Sequence, residues 1–288
     1  MTTTTNVQHR GVAAGGGNRL GPHGGERPTR RSGFVWNLAD AWVLIGRSMR
    51  HTVRNGDALF MGVFLPVMLL LLFVYVFGGA LEEGIAQFDY VNYVVPGVIL
   101  LTAGFSAATT AVSVTTDMTT GVMDRFRSLP ITNWIVVFGH VVASLVRNLF
   151  STALVVGVAL IIGFRPTGNV LDWVAAVGVI SLFILMMTWL SVMFGLIAKT
   201  PDAASGFTFF ILFLPYMSSA FVPVETMPAV LRGFAEHQPI TPIIETVRGL
   251  LMGTPIGDSG WLAVAWSVGV LIIVAPISAR LFRSRTAS

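Results

Sequence analysis

Five long stretches of this sequence carry no charged side chain: Ala58 to Ala80, Val91 to Thr116, Trp173 to Ala198, Ser205 to Val224 and Trp261 to Ala279. Each reaches the roughly 20 residues a helix needs to cross a hydrocarbon layer about 30 Å thick. In water so much apolar surface would aggregate, whereas in a bilayer each helix satisfies its own backbone hydrogen bonds. A sixth stretch, Val141 to Gly163, carries a single charge, Arg147, six residues from its start. The expected fold is all-α, a polytopic membrane protein with six transmembrane helices. With 54% hydrophobic and only 11% charged residues, little chain is left for a soluble domain. The absence of cysteine excludes a disulfide framework and a Cys-based metal site. The first stretch begins at Ala58 and is too long for a signal-peptide core, so it is expected to remain as an anchor.

The basic residues sort by loop. Arg10, Arg19, Arg27, Arg30, Arg31, Arg47, Arg50 and Arg54 precede the first span; Arg125 and Arg127 follow the second; Lys199 follows the fourth; Arg280, Arg283 and Arg285 close the chain. The opposite set of span ends has only Arg165, Arg232 and Arg248. The positive-inside rule then predicts a multi-pass protein of the cell (plasma) membrane with both termini in the cytoplasm. A nucleic-acid partner is not expected, because the charges flank spans instead of lining one face.

Residues 1–33 are rich in Thr, Gly, Pro and Arg and nearly devoid of large apolar side chains, the composition of a disordered tail. Between residues 34 and 56, Val35, Leu38, Ala39, Trp42, Ile45 and Met49 recur at helical spacing, with Trp36 nearby and Arg47, Arg50 and Arg54 following in three- and four-residue steps. That pattern suits an N-terminal amphipathic interfacial helix and equally an ordinary linker helix. The transmembrane domain is expected over 57–283, with a cytoplasmic tail at 284–288.

The loop Asp117 to Asn133 can form about two helical turns before Pro130, and there Asp124, Arg125 and Arg127 surround Phe126. An apolar knob in a charged collar suits docking into another protein, and the same charges also fit a solvated loop. The longest loop on the opposite side, Glu225 to Gly260, places Ile243, Ile244, Val247, Leu250 and Leu251 on one stripe after Thr241 as N-cap and Pro242 at N1, ending at Gly253. A short helix is expected there, lying at or dipping into the outer leaflet, with Met227 to Glu236 as a partner helix before Gln238 and Pro239 turn the chain.

No nucleotide site is legible. The single lysine, Lys199, sits in GLIAKT, with Ala198 where a P-loop requires glycine, so ATP would have to be hydrolysed by another polypeptide. Ser106 and His140 are too far apart in depth for an intramembrane serine protease, which leaves Ser106 to small-residue helix packing. His9, His23, His51 and His237 lack the i, i+4 spacing of a zinc helix. Ion-coupled carriers bury carboxylates at mid-membrane, and every Asp and Glu here lies outside the assigned spans. Arg147, near the cytoplasmic end of its span, is expected to snorkel to the headgroups.

These pieces resemble the permease subunit of an ABC-2 type exporter and, within that class, the daunorubicin/doxorubicin-resistance permeases of actinobacteria. The resemblance runs from about Val35 to Arg285. It is strongest in LPYMSSAFVPVETMPAVLRGFAEHQPITPIIETVRGLLMG, Leu214 to Gly253, where a Pro-bounded span end, a short amphipathic segment, an H-Q-P-I turn and a second short helix follow in the family's order. TGVMDRFRSLPI, Thr120 to Ile131, resembles the family's cytoplasmic coupling loop, and Phe34 to Arg50 its connecting helix.

The resemblance implies the ABC-2 (type V exporter) fold with short outer re-entrant helices, and a permease that is not itself an enzyme. It implies no cofactor bound by this chain, with ATP and Mg used by a partner ABC ATPase subunit and a second permease copy or related permease completing the pair. It assigns ATPase coupling to Asp124, Arg125, Phe126 and Arg127, and the connecting helix to the segment holding Trp36, Trp42, Arg47 and Arg50. Spans two and five would line the substrate path with Phe105, Thr109 and Thr110, and with Phe207, Phe210, Phe213, Tyr216 and Met217, side chains that equally fit packing or lipid contact. Phe221, Pro223, Glu225, Gln238, Pro239 and Ile244 would form an outer gate and cap. An aromatic, uncharged lining suits a hydrophobic or amphiphilic cargo. The alternatives are an exporter of a polysaccharide or lipid-linked glycan and, in another class, a non-transporting scaffold or stand-alone carrier.

Overall fold

The computed structural model describes residues 56–82, 89–120 and 133–287, and every regular element among them is helical. Helix α1, Gly56–Leu71, runs through Pro66 into a π-helical stretch, Leu72–Phe77, and a short α2, Gly78–Glu82. Three long helices follow: α3, Tyr90–Thr119; α4, Asn133–Ile162; and α5, Val170–Ile197. The chain reverses at Thr200 into α6, Pro201–Phe213, which tightens into a 3₁₀ turn, Leu214–Met217. After a non-helical segment, residues 218–223, come a second 3₁₀ turn, Val224–Thr226, then α7, Ala229–His237, α8, Ile240–Met252, and α9, Ser259–Ala287. Among the described residues, five helical segments are long and apolar enough to cross a membrane: Gly62–Leu81, Tyr90–Thr119, Val141–Ile162, Val170–Ile197 and Ser259–Ser284.

Local chemistry sets several of these boundaries. At the start of α5, Asn169 Oδ1 accepts from the Leu171 and Asp172 backbone N–H groups at 2.8 and 3.0 Å, and Asp172 Oδ2 accepts from Asn169 N at 2.9 Å. This reciprocal capping satisfies donors that a helix N-terminus otherwise leaves orphaned. Thr200 caps α6 by accepting from Ala203 N, with Pro201 in the first turn where its missing N–H costs nothing. Gly253, at φ +65°, ends α8 in the left-handed conformation that glycine adopts without strain.

Helix α3 is the axis of the bundle, buried along most of its length between α4, α5 and α6, with α1 against it and α4. Leu100, Leu101, Val98 and Ile99 of α3, Phe183 and Ile184 of α5, and Ile243 and Ile244 of α8 belong to one continuous core. The outer helices turn apolar residues outward, as Ile161 and Ile272 show, which fits hydrocarbon and not water.

Three sequence expectations are corrected here. The stretch Ser205 to Val224 is not one continuous helix: α6 stops at Phe213, and Pro215 lies in a 3₁₀ turn, followed by the non-helical 218–223. Second, α4 begins at Asn133, eight residues before Val141, because the apolar run WIVVF continues the helix backwards. Arg147 therefore stands at the midpoint of this helix, seven residues into the candidate span Val141–Ile162. Third, α8 starts at Ile240 with Pro239 as N-cap, so Thr241 is inside the helix, and its hydroxyl has no partner among the described residues. Helix α8 is packed within the bundle. Ten of its residues besides Arg248 are buried, since α3, α5 and α9 enclose it on several sides.

Candidate functional site

The end of the bundle that carries α7 and α8 is closed by backbone carbonyls. The 218–223 segment lies across the start of α3, and its approach is close: a Cβ on Gly97 would meet Ala220 Cβ and O at 2.7 Å. Tyr93 Oη donates to Ser219 O at 3.0 Å and Tyr90 Oη to Phe221 O at 3.1 Å. Gln238, at the α7–α8 junction, donates to Met217 O. Arg248 of α8, 5% exposed, completes the clasp: Nη2 donates to Ser219 O at 2.6 Å, Nε to Tyr93 O at 3.2 Å and Nη1 to Glu245 Oε1 at 2.7 Å. Its guanidinium also lies 3.8 Å from the centre of the Tyr93 ring. A buried arginine needs this many acceptors, since an ion out of water is costly unless paired and hydrogen-bonded.

The far end of α8 is pinned as well. Thr167 N and Gly168 N donate to Leu251 O at 3.0 Å each, and Thr167 Oγ1 donates to Met252 O. A Cβ on Gly168 would sit 2.2 Å from Leu250 O, so only glycine permits the loop to come this near. The cap is incompletely satisfied nonetheless. Ser219 Oγ, Gln238 Oε1 and Thr241 Oγ1 are buried without a hydrogen-bond partner among the described residues.

Beneath the clasp runs a ladder of rings. Phe213 and Tyr216 are 6.4 Å apart between centroids, Tyr216 and Phe221 5.4 Å, Phe221 and Phe73 4.2 Å, and Phe73 and Phe77 5.7 Å. The π-helical stretch of the first span supplies Phe73 and Phe77, and wide turns of this kind recur where a helix must re-aim side chains.

A second polar focus lies at mid-bundle. Thr110 of α3 shares a hydrogen bond with Ser144 of α4 at 3.0 Å, and Ser144 with Thr188 of α5 at 3.3 Å. Asn148 Nδ2 donates to Ser144 O at 2.9 Å. Facing the same part of α3, Arg147 Nη2 is 3.3 Å from Thr109 Oγ1, 3.4 Å from Ser106 O and 3.5 Å from Thr110 Oγ1. The guanidinium thus turns to α3.

The expected site residues fall into separate groups. Phe213, Tyr216 and Phe221 join the ladder; Phe105 is half-buried on α3; Thr109 is exposed beside Arg147. Thr110 is 3% exposed and shares a hydrogen bond with Ser144, linking α3 to α4. Met217 contributes its carbonyl to the clasp, Pro223 and Pro239 flank the turns, Glu225 is exposed, and Ile244 is fully buried in α8. Phe210 lies in α6, with its side chain outside the described residues, as is that of Phe207. Asp124, Arg125, Phe126 and Arg127, like Trp36, Trp42, Arg47 and Arg50 and the tail 1–33, also lie outside the described residues. Tyr90, Tyr93, Phe73 and Arg248 were not singled out from the sequence. The signal available was Glu245 three residues before Arg248, an ion pair set into an otherwise apolar helix.

Comparison with known proteins agrees with this architecture. Residues 39–252 match the family model described as ABC-2 type transporter. The chain is 30% identical over 289 residues to the daunorubicin resistance ABC transporter permease protein DrrB1 of Streptomyces coeruleorubidus, covering 100% of both chains. It is 20% identical over 242 residues to the probable doxorubicin resistance ABC transporter permease protein DrrC of Mycobacterium tuberculosis, covering 83% of this chain and 86% of the relative. A bundle of apolar helices closed at one end by a non-helical segment and a buried short helix is accordingly a multi-pass membrane permease, and the chain belongs to the ABC-2 type transporter family.

Proposed function

We propose that this permease exports a hydrophobic or amphiphilic compound, powered by a separate ABC ATPase subunit, and that the clasp over 218–223 is its exit gate. The observation that carries the reading is the closure of one end of the bundle by main-chain acceptors and aromatic rings, with the Thr119 end of α3 and the Asn133 end of α4, which loop 121–132 joins in sequence, away from it. An ATPase seated on that loop through Asp124, Arg125, Phe126 and Arg127 would pull on α3 and α4 together, since the loop joins them. Because 218–223 hangs on Tyr90 and Tyr93 at the other end of α3, movement of α3 is transmitted to the gate.

The same reading makes α6 the sixth span. Its 13 helical residues rise about 20 Å and the four of the 3₁₀ turn about 8 Å more, near the thickness of a hydrocarbon core. With six passages both termini share a side, and the basic residues place that side in the cytoplasm. Phe213, Tyr216 and Phe221 would meet the cargo on its way to the gate, and α7 and α8 would form the outer cap. A second permease copy or related permease would complete the pathway. The relatives named for daunorubicin and doxorubicin resistance support aromatic amphiphiles as the first cargo class to try. The test is accumulation of daunorubicin and doxorubicin in cells expressing the chain with an ABC ATPase, against cells with Arg248→Ala. Lower accumulation with the unaltered chain, reversed by the variant, is expected. Equal accumulation with and without the chain, across a panel of amphiphiles, would overturn the proposal.

A further inference from the structure

Arg147 is a cation seven residues into the candidate span Val141–Ile162, and no carboxylate among the described residues pairs with it. The guanidinium stays protonated at any ordinary pH. No Asp or Glu occurs in Val91 to Thr116, Val141 to Gly163 or Trp173 to Ala198, the stretches of the helices around it. Its partners are uncharged, and all three reach the same nitrogen, Nη2, at 3.3 to 3.5 Å. Such lengths are at the weak end for a hydrogen bond. Nη1 and Nε have no hydrogen-bond partner among the described residues. An ionised side chain in this position is expensive to insert and marks a ligand or ion path by default.

The surroundings narrow the ligand. Thr109, held by its own bond to Ser106 O at 2.8 Å, is exposed on α3 next to the guanidinium, so the site opens at the bundle surface. On α4, Phe150 and Leu154 follow Arg147 at i+3 and i+7, the same helical face, and both are exposed. A planar fork of N–H donors with an apolar strip running away from it matches a molecule having one anionic head and an apolar body.

We infer that Arg147, with Thr109, binds the phosphate or carboxylate head of an anionic amphiphile whose apolar body lies along Phe150 and Leu154. The inference deepens the export reading by naming a headgroup chemistry. The amphiphile is either cargo or a resident lipid, and the two share this head.

The full-length chain, purified in uncharged detergent, is titrated with phosphatidylglycerol and with diacylglycerol of the same acyl chains, and bound copies are counted by native mass spectrometry. Phosphatidylglycerol is expected to bind the unaltered chain and the Arg147→Gln variant with dissociation constants differing about tenfold or more, the size of a lost charge-assisted hydrogen bond. Diacylglycerol binding should not change, and Arg147→Lys should retain most of the preference. Thr109→Asp, on an exposed position, supplies an internal counter-ion and should suppress phosphatidylglycerol binding even if Arg147→Gln folds poorly. Equal binding of the two lipids to the unaltered chain, or undiminished phosphatidylglycerol binding by Thr109→Asp, overturns the site. With an ATPase subunit reconstituted, release of labelled phosphatidylglycerol during ATP turnover identifies cargo and its retention identifies a resident lipid; both uphold the site. Charge-dependent binding without export of any compound would sink the export reading alone, and export without charge-dependent binding would sink this site alone.

Discussion

At the scale of single residues, Arg248 has the most to lose. It reaches Ser219 O, Tyr93 O and Glu245 and stacks on the Tyr93 ring, all while buried. Truncation to alanine takes a side-chain donor from Tyr93 O, leaves Ser219 O with Tyr93 Oη alone and unpairs Glu245, and about 2–4 kcal/mol of stability should go with them, less than for a fully buried pair because Glu245 is partly exposed. Lysine keeps the charge but not the fork or the stacking, so Arg248→Lys should fall in between. Tyr93→Phe removes one donor from a carbonyl that keeps another and should cost about 1 kcal/mol. Melting temperatures of the detergent-solubilised variants should follow that order, and an unchanged Arg248→Ala value would remove the clasp from the account. The sequence exposes Arg248 only as one of a few basic residues in a long loop. What it hides is that the loop folds into a buried helix, where the same charge becomes a centre of hydrogen bonding.

At the scale of elements, the long helices were legible because an uncharged run of sufficient length has few other ways to satisfy its backbone. The first, second, fourth and last stretches overlap α1 to α2, α3, α5 and α9 closely. The fifth misled because apolar composition persists through Ser205 to Val224 while the helix does not. Pro215 and Pro223 bracket the break, and the segment between them finds its hydrogen bonds in tyrosines and an arginine far away in sequence. Periodicity cannot register partners of that kind. The break depends on the absence of a side chain at Gly97, so Gly97→Ala should push 218–223 off α3 at a cost of about 1–3 kcal/mol. A cysteine in place of buried Ser219 in this Cys-free chain gives the readout. It should resist maleimide in the parent and react in the Gly97→Ala background, and equal resistance in both would show that the contact is not limiting.

Across the whole molecule, the described helices run alternately towards the cap end and away from it, so orientation reduces to one question. Asp258→Cys, near the cap, should be labelled by an impermeant reagent in intact cells, and Thr200→Cys, at the opposite reversal, only after the cells are opened. The reverse pattern would invert the proposed topology. On the proposed reading, coupling belongs to the Thr200 end. Phe126→Ala and Arg125→Glu should reduce co-purification of the ATPase subunit by several-fold while leaving Asp258→Cys labelling intact, whereas normal co-purification in both would remove the loop from the mechanism. The gate at the other end has a further consequence, visible in its accounting of donors and acceptors. Met217, Ser219 and Phe221 contribute main-chain oxygens, which no substitution removes, whereas Tyr90, Tyr93, Gln238 and Arg248 contribute side chains. Over evolutionary time the closed state is therefore guarded from one side only. On the proposed path, the rings that would meet the cargo, Tyr216 and Phe221 among them, could be exchanged to suit other compounds without redesigning the latch that shuts behind them.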